Sequence, residues 1–279
     1  MHTHLLLIES PDAKGLVYKI TGVLFRHGFN IVSNHEFVDA TSDDRFFMRT
    51  AFNGDAPLQP LVEELRTLLP DAAIIRLAPS RKRPIVLMAT KEPHCLGDLL
   101  LRHAYDELPA RICAVVANHP TLEPLVRQFG IPFHVVSHEN LSRADHESEV
   151  LSVLGVYNPD YIVLAKYMRT LTPGFLNLFP NRIINIHHSF LPAFTGASPY
   201  RQAFKRGVKI IGATAHVVTE ELDTGPIIAQ GIQPVNHAHT AADMAQAGRD
   251  IEKVVLAKAL KLMLEERVFL HKNRTIIFE

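Results

Sequence analysis

The sequence has few cysteines, no excess charge of either sign and no long apolar run. Its 279 residues include two cysteines, Cys95 and Cys113, which form neither a CxxC pair nor the framework of a secreted disulfide-rich protein. Lysine plus arginine equal aspartate plus glutamate at 29 each, so nucleic acid is not expected as a partner. No stretch approaches the roughly 18 apolar residues of a membrane span, and no signal-peptide pattern opens the chain. We therefore expect a cytoplasmic protein with no membrane partner.

Several motifs that mark common enzyme classes are also missing. The chain contains no GxGxxG, no Walker loop, no GxSxG and no HExxH, so the usual dinucleotide, nucleotide-phosphate, serine-hydrolase and zinc-hydrolase signatures are excluded. His237 and His239 have a strand-like metal spacing, but no acidic residue or cysteine lies nearby at ligand spacing, and we predict no metal site. Cys95 follows His94 in a context that does not indicate a nucleophile, so we expect an unreactive helix cysteine.

The length of the chain suits two domains, and its pattern changes near residue 80. The first part predicts the order βαββαβ, which is typical of a ferredoxin-like domain of about 75 residues. Its first helix carries apolar residues at i, i+4, i+7 and i+8: Leu16, Ile20, Val23 and Leu24. A charged stretch between Pro79 and Pro84 follows, where proline cannot continue a sheet ladder. We therefore predict domains at residues 1–80 and 84–279.

The second part alternates apolar strands with helices. The strands are nearly continuous apolar runs, which is typical of parallel strands covered on both faces. They are predicted at residues 85–89, 113–118, 133–136, 161–165 and 183–187. We therefore expect an α/β fold, with a ferredoxin-like βαββαβ domain followed by an open, doubly wound, mostly parallel Rossmann-like sheet. A capped helix from Thr240 and a terminal hairpin complete the prediction.

The stretch at 183–196, IINIHHSFLPAFTG, places polar side chains at the end of a predicted buried strand. Side chains alternate between the faces of a strand, so Asn185, His187 and Ser189 are expected to point the same way. An amide and an imidazole on one face suit a carbonyl oxygen that becomes negative during attack. Gly196 then predicts a sharp turn that leaves the strand end open. Without further context, the same pattern also fits a core asparagine and histidine paired with backbone groups.

A second strand, which begins GATAHVV at residue 212, ends in a loop that contains Asp223. Gly225 and Pro226 tighten this loop and hold the aspartate in place. Taken alone, Asp223 fits a turn-forming residue. Together with Asn185 and His187, it would supply a general base beside oxyanion donors for attack on a carbonyl. We expect burial to raise the pKa of Asp223.

These two stretches, NIHHSFLPAFTG and GATAHVVTEELDTGPIIAQ, resemble those of the folate-dependent formyltransferase family, which moves a formyl group from 10-formyltetrahydrofolate. In that family, the Asn and His of an N-x-H motif and the Asp of an L-D-x-G-P/Q loop form the catalytic trio. The resemblance therefore implies catalytic roles for Asn185, His187 and Asp223. The segment LAKYMRTL also resembles the family's pterin-binding stretch. The implied folate-site residues are Met168, Arg169, Leu171, Ser189, His216 and Gly225.

Three features resemble a hydrolytic branch of this family, which releases formate instead of passing the formyl group to an acceptor. The first is the additional N-terminal domain. The second is the segment TKEPHCLG, which lacks the Gly- and Asn-rich turn that holds the acceptor's phosphate in ribonucleotide transferases. The third is His188, which replaces a proline usual in transferases and is expected to affect how water is held.

The resemblance implies metal-independent hydrolysis of 10-formyltetrahydrofolate, with folate as the substrate and no permanently bound cofactor. Asp223 would take a proton from the attacking water, while Asn185 and His187 would bind the formyl oxygen. Formate and free tetrahydrofolate would then feed one-carbon and purine metabolism. Two alternatives remain open: a formyltransferase with an amine acceptor, and a non-catalytic folate or amino-acid sensor. The intact trio argues against the sensor.

The first domain, with its turn SPDAKG, resembles an ACT domain, a regulatory module that binds small amino acids and pairs with copies of itself. This resemblance implies a small amino-acid effector, such as glycine or methionine, and a homo-oligomer assembled through this domain. The candidate effector-binding residues are Asp12, Lys14, Gly15 and Asn34. The alternative is that the domain serves only as an assembly surface.

Overall fold

The computed structural model describes residues 3–41, 43–78, 81–192 and 199–279. The chain divides into two compact units: unit 1 comprises Met1–Arg81 with Phe278–Glu279, and unit 2 comprises Lys82–Ile277. Within the described residues, none of the helices combines the length and the apolarity that crossing a membrane requires.

Unit 1 is a four-stranded sheet with two helices. Its elements are β1 (Thr3–Pro11), α1 (Leu16–Arg26), β2 (Asn30–Asp39), β3 (Arg45–Asn53), α2 (Leu58–Leu68) and β4 (Ile74–Leu77). The strand order is β2-β3-β1-β4, and all neighbouring strands are antiparallel. The ferredoxin-like βαββαβ prediction is therefore confirmed. The apolar stripe predicted for α1 is confirmed as well, because those four residues are the ones that this helix buries in the core of unit 1.

Unit 2 is built on a seven-stranded sheet. Its elements are β5 (Arg83–Ala89), α3 (His94–Ala104), β6 (Ala110–Ala117), α4 (Glu123–Arg127), β7 (Phe133–Val135), α5 (Arg143–Tyr157), β8 (Tyr161–Leu164), α6 (Pro173–Leu178), β9 (Ile183–His187), α7 (Pro199–Arg206), β10 (Ile210–Val217), β11 (Ile227–Pro234), α8 (Ala241–Leu264), β12 (Val268–His271) and β13 (Arg274–Ile277). A 3-10 turn, Pro120–Leu122, precedes α4. The last two strands form the predicted terminal hairpin.

The strand order of the large sheet is β11-β10-β9-β8-β5-β6-β7. The pairs from β9 to β7 are parallel, and β10 and β11 add an antiparallel edge. The prediction of an open, mostly parallel sheet is confirmed. The strand order reverses at β5, because the chain runs from β5 to β7 on one side and returns to β8 and β9 on the other. In such sheets, ligands bind at the carboxyl ends of the strands near this point.

Helices cover both faces of this sheet, and the alternation of side chains decides which helix each strand residue meets. On one face, Ile184 and Ile186 pack in a core with α3 and α8. On the other face, Ile183 packs in a core with α5 and α6. We call these the α8 face and the α5 face. At β5, where the strand order reverses (the switch point of the sheet), the backbone N–H of Met168 donates to the hydroxyl of Thr90 at 2.9 Å. This bond joins the segment after β8 to the end of β5.

Candidate active site

Asn185 and His187 lie on β9, and the pairing of β9 with β10 adds His216 to the same face. Asn185 and His187 have the parity of Ile183, so they share the α5 face. His216 lies opposite Asn185 in the antiparallel register, and Nδ2 of Asn185 is 3.2 Å from Nε2 of His216. The strand ends at His187, so Ser189 falls outside the alternation that was expected to align it with the other two.

Hydrogen bonds hold His216 in one tautomer. Its Nδ1 is 2.9 Å from the carbonyl oxygen of Val217, so Nδ1 carries the hydrogen and Nε2 accepts one from the amide of Asn185. A side-chain amide has two N–H groups, and this bond uses one of them. The second N–H of Asn185 is left for a ligand.

Asp223 lies in the turn between β10 and β11. Its φ is +57°, a left-handed conformation that aspartate adopts more readily than most residues. Gly225 fixes the turn, because a Cβ at this position would lie 1.9 Å from the carbonyl oxygen of Val217. The N–H of Val217 also donates to the carbonyl oxygen of Pro226 at 2.9 Å. The tight packing of this Gly-Pro pair holds the aspartate in place, as the sequence predicts.

The carboxylate of Asp223 pairs with His187. Oδ2 is 3.1 Å from Nδ1 of His187, and Oδ1 is 3.6 Å from Nε2 of His216. The hydrogen bond from Nδ1–H of His187 is the largest cause that holds the pKa of Asp223 well below its usual range, although burial acts in the opposite direction. The predicted rise of this pKa is therefore wrong, because this hydrogen bond favours the carboxylate more strongly than burial disfavours it.

The other ring nitrogen of His187 is available to a ligand. Since Nδ1–H donates to Asp223, Nε2 carries the lone pair in the neutral ring. Nε2 is buried and has no hydrogen-bond partner within the described part of the chain. Buried polar atoms are rarely left unpaired, so we expect a ligand or water atom to bond to this nitrogen.

A cavity of about 400 Å³ adjoins these side chains. Its lining comes from residues 164–171 after β8, residues 185–188 at the end of β9 and residues 216–223 after β10. The predicted site residues that line it are Met168, Arg169, Leu171, Asn185, His187, His216 and Asp223. Ser189 and Gly225 are outside its described lining. Ser189 is buried, and its carbonyl oxygen accepts a hydrogen bond from the hydroxyl of Thr214.

The lining also contains residues to which the sequence analysis gave no binding role. Leu164 and Tyr167 belong to the core of the α5 face and give the cavity an apolar wall. Lys166 lines the cavity, and its side chain is only 10% exposed. All three lie within LAKYMRTL, the segment that resembles the pterin-binding stretch, but only Met168, Arg169 and Leu171 of it were named as site residues. Their position after a buried strand at the switch point was the signal that could have found them.

His188 also lines the cavity and stacks on His187, with ring centroids 4.9 Å apart and ring planes 27° apart. Burial, the Lys166 ammonium and His187 together lower the pKa of His188 to about 4. The imidazole of His188 is therefore neutral at physiological pH and both donates and accepts hydrogen bonds.

Three side chains other than Asn185, His187 and Asp223 bring possible metal-ligand atoms close together. The side chains of His94, Cys95 and Glu252 place ligand atoms within 4.8 Å of one another. The oxygens of Glu252 already accept hydrogen bonds from Lys166 and Tyr200, and burial raises the pKa of the Cys95 thiol. A metal ion binds the deprotonated thiolate and needs free lone pairs on a carboxylate. A protonated Cys95 and a Glu252 that already accepts hydrogen bonds are therefore poor metal ligands. The absence of a resident metal stays a prediction.

The effector candidates of unit 1 lie in two places. Asp12, Lys14 and Gly15 form an exposed turn before α1, where Gly15 has a φ of +84° and the helix has no side-chain cap. The backbone N–H of Asp12 donates to the carbonyl oxygen of Asp44 at 2.6 Å. Asn34 lies on β2, and its Oδ1 accepts a hydrogen bond from the hydroxyl of Thr50 at 2.6 Å.

Known protein families match both units. The family model described as formyl transferase matches residues 83–260, which include the whole cavity lining. The chain belongs to the formyl transferase family. The ACT domain model matches residues 4–70, which lie in unit 1.

Relatives of this family member resemble it over nearly its full length. A formyltetrahydrofolate deformylase of Haemophilus influenzae is 52% identical over 273 residues, which is 98% of both chains. The crystal structure of a formyltetrahydrofolate deformylase from Pseudomonas syringae superposes with a TM-score of 0.94 at 40% identity, covering 99% of this chain and 94% of that one. A glycinamide ribonucleotide transformylase from Symbiobacterium toebii matches with a TM-score of 0.67 at 31% identity, covering 71% of this chain and 95% of that one.

Proposed function

We propose that the protein hydrolyses 10-formyltetrahydrofolate to formate and tetrahydrofolate. The observation that carries this proposal is the His187–Asp223 pair, 3.1 Å apart, beside Asn185 in a single cavity. Full-length relatives bear the name formyltetrahydrofolate deformylase, whereas the transformylase match leaves more than a quarter of this chain uncovered. The products, formate and free folate, feed one-carbon and purine metabolism.

In the proposed reaction, the second N–H of Asn185 donates to the formyl oxygen, and water attacks the formyl carbon. Nε2 of His187 takes the proton of this water, because it carries the available lone pair. Asp223 orients the imidazole and stabilises the imidazolium that forms. His187 then delivers the proton to the departing folate nitrogen as the carbon–nitrogen bond breaks. No resident metal or cofactor is needed for these steps.

This division of roles differs from the one predicted from the sequence, in which Asp223 itself takes the proton. A carboxylate whose pKa is held low by a hydrogen bond from His187 is a weak base. Its low pKa suits a fixed negative charge that assists His187. The water attack remains dependent on Asp223, but the proton passes through the histidine.

The folate moiety is proposed to lie along the segment after β8. Leu171 is buried in the core of the α5 face, and Met168 is 61% exposed, so together they offer apolar surface to a planar ring. Arg169 adds a cation for polar or anionic groups of the substrate. His216 acts through Asn185, and Gly225 acts through the turn that carries Asp223.

The test is the release of formate and tetrahydrofolate from 10-formyltetrahydrofolate in plain buffer with no amine present. We expect equal amounts of both products. Asp223→Asn and His187→Ala should each lower kcat by about a hundredfold or more, with folate binding changed only modestly, since their roles are strongest in the transition state.

Asp106→Asn provides a matched control, because Asp106 is an exposed aspartate with a similar φ of +60°. Its turnover should equal that of the unmodified protein. Absence of formate from the unmodified protein would refute the proposal, and product formation only with an added amine would instead support a transferase. Near-normal turnover in either site variant would remove that residue from the mechanism.

We also propose that unit 1 binds a small amino acid and joins two or more copies of the chain. The uncapped N-terminus of α1 after Gly15 leaves backbone N–H groups for a carboxylate, next to Lys14. β2 is an edge strand whose outward side chains Val32 and Phe37 are 55% and 47% exposed, a surface suited to association.

Titration calorimetry with glycine and with methionine tests the effector, and light scattering tests the assembly. We expect heat from at least one amino acid, which Lys14→Ala should weaken, and a mass above that of one chain. Absence of heat with both amino acids would leave unit 1 as an assembly surface only. A mass of one chain at micromolar concentration would exclude assembly under those conditions.

A further inference from the structure

A buried carboxylate adjoins the cavity and is bonded from several separate elements. Glu252 on α8 is only 1% exposed. Its Oε2 accepts from Nε2 of His94 at 2.7 Å and from Nζ of Lys166 at 3.1 Å, and its Oε1 accepts from the hydroxyl of Tyr200 at 2.7 Å. Buried ion pairs contribute little net stability compared with apolar packing, so the cluster suggests a role in the site.

Lys166 connects this cluster to the candidate active site. It lines the same cavity as Asn185 and His187, and its ammonium reaches Glu252. Its φ of +63° is unusual for a lysine, because residues other than glycine rarely adopt this left-handed conformation. The backbone after β8 therefore adopts an unfavourable conformation at the residue that supplies the buried ammonium.

The cavity consequently has two chemically different walls. The wall formed by Leu164, Tyr167 and Leu171 belongs to the apolar core of the α5 face. The other wall presents Lys166, which pairs with a residue of α8. A planar ring system is suited to the apolar wall, which leaves the charged wall for the nucleophile that attacks the formyl carbon.

The pKa of His188 depends on the charges at the charged wall. It lies between His187, on which it stacks, and Tyr200, whose ring centroid is 6.3 Å away. The charged and titratable groups that act on it are Lys166, His187, Glu252 and Asp223. Burial, Lys166 and His187 outweigh the two carboxylates, so a positive charge on His188 is disfavoured beside Lys166.

On the basis of the function proposed above, we propose that Lys166, held by Glu252, makes this site select water over an amine as the nucleophile. An alkylamine is mostly an ammonium ion at neutral pH, since its pKa is about 10. The resident ammonium repels such a cation. Glu252 cannot pair with it directly, because the Glu252 side chain is only 1% exposed and its oxygens accept from Lys166, His94 and Tyr200. Water is neutral and small, so neither effect opposes it.

The two reactions that compete differ only in the attacking atom. In hydrolysis, a water oxygen bonds to the formyl carbon, the carbon–nitrogen bond of the folate breaks, and the folate nitrogen gains a proton as formate leaves. In transfer, the nitrogen of an unprotonated amine bonds to the formyl carbon and loses a proton, the carbon–nitrogen bond of the folate breaks, the folate nitrogen gains a proton, and the formamide leaves. Lys166 is itself adjacent, but as an ammonium it has no lone pair with which to attack.

The test compares formamide with formate produced from 10-formyltetrahydrofolate in the presence of methylamine at neutral pH. We expect the unmodified protein to give almost entirely formate. Removing the ammonium in Lys166→Met should raise the formamide-to-formate ratio by about tenfold or more, because the like-charge repulsion of the incoming amine is lost. Lys166→Arg retains the charge and should leave the ratio unchanged.

Lys166→Met leaves Glu252 as an unpaired buried charge and is prone to misfolding. The double variant Lys166→Met with Glu252→Gln removes the pair together and should give the same increase in ratio. Lys253→Met is the matched control on α8, because Lys253 pairs with Asp250 at 2.8 Å on the surface. This control should keep the unmodified ratio.

The inference would be overturned if the folded Lys166→Met protein and the folded double variant both kept the unmodified ratio. It would also be overturned if Lys253→Met raised the ratio as much as Lys166→Met does. These outcomes are distinct from a failure of the proposed function, in which the unmodified protein releases no formate. Hydroxylamine, which is largely unprotonated at neutral pH, provides a second probe. Its ratio should respond less to Lys166→Met than that of methylamine, and an equal or larger response would contradict a mechanism based on charge.

Discussion

At the scale of single residues, the charge state of each candidate catalytic group depends on its neighbours. Asp223 stays ionised because His187 donates to it, and His187 in turn is held with Nε2 free for a ligand. His216 is fixed by the carbonyl oxygen of Val217 and orients Asn185. The site therefore acts as a connected set, and substitution of one member should disturb the others.

His188 should make the protein sensitive to mild acid. Its pKa is about 4 in the folded chain, compared with about 6.5 for an unfolded histidine. Below pH 6.5, His188 becomes protonated in the unfolded state, whereas in the folded state it becomes protonated only near pH 4. The stability contributed by a neutral His188 is therefore complete above pH 6.5 and is lost progressively as the pH falls toward 4.

We predict that His188→Gln loses less stability than the unmodified protein between pH 7 and pH 5, by roughly 1–2 kcal/mol. Urea unfolding at the two pH values measures this difference. His237→Gln, at an exposed position in the loop before α8, should show the same pH dependence as the unmodified protein. Parallel losses in all three proteins would mean that His188 does not stay neutral.

At the scale of elements, α8 has two separate tasks. Its middle carries Glu252, which holds Lys166 at the charged wall of the cavity, and its N-terminus is fixed by a cap. Thr240 and Asp243 form a capping box: the hydroxyl oxygen of Thr240 accepts from the N–H of Asp243 at 3.2 Å, and Oδ2 of Asp243 accepts from the N–H of Thr240 at 2.9 Å. Glu252 lies three turns further along the helix. The cap therefore serves stability, whereas the middle of the helix serves the site.

We predict that Thr240→Ala lowers the free energy of unfolding by about 1 kcal/mol, because the N–H groups at the helix start lose their partner. Thermal or urea unfolding measures the loss. Thr240→Ser keeps the hydroxyl and should retain most of the stability. Formate release by the folded Thr240→Ala protein should be unchanged, and a large fall in turnover would show that the cap also shapes the site.

At the scale of the whole molecule, each unit has its own sheet and its own core. The strands of the large sheet all begin at or after Arg83, and the described lining of the cavity lies between residues 164 and 223. The core of unit 1 is formed by its two helices and its four-stranded sheet. Domains with separate cores generally fold independently.

We predict that a fragment of residues 82–277 folds and releases formate at a rate within roughly tenfold of the full chain, because independently cored domains retain their local sites. Circular dichroism and the formate assay measure the two properties. The fragment should lose any response to glycine or methionine. A fragment that is folded but inactive would show that unit 1 takes part in catalysis.

Much of the fold could be predicted from the sequence, because it depends on local periodicity. The four buried residues of α1, the cap of α8 and the terminal hairpin were all found from spacing and turn residues. The two antiparallel edge strands, β10 and β11, change the direction of the sheet without changing its apolar pattern. Strand direction depends on partners distant in sequence, so periodicity alone did not supply it.

The candidate trio could be named from two motifs, but its electrostatics could not. Burial of Asp223 was foreseeable, and from burial alone a raised pKa followed. The actual direction depends on His187, which the end of β9 brings within hydrogen-bond distance of this carboxylate. Gly196 and the rest of residues 193–198, where the sequence predicted a turn, lie outside the described residues.

The sequence by itself determined which elements form and which polar residues mark the candidate site. These features are encoded in short segments, through side-chain periodicity, capping residues and turn residues. Only the tertiary structure decided the protonation of Asp223, the stacking of His188 and the pairing of Lys166 with Glu252 across 86 positions of chain. Those properties arise from Coulomb interaction and desolvation, which depend on distances in space between residues remote in sequence.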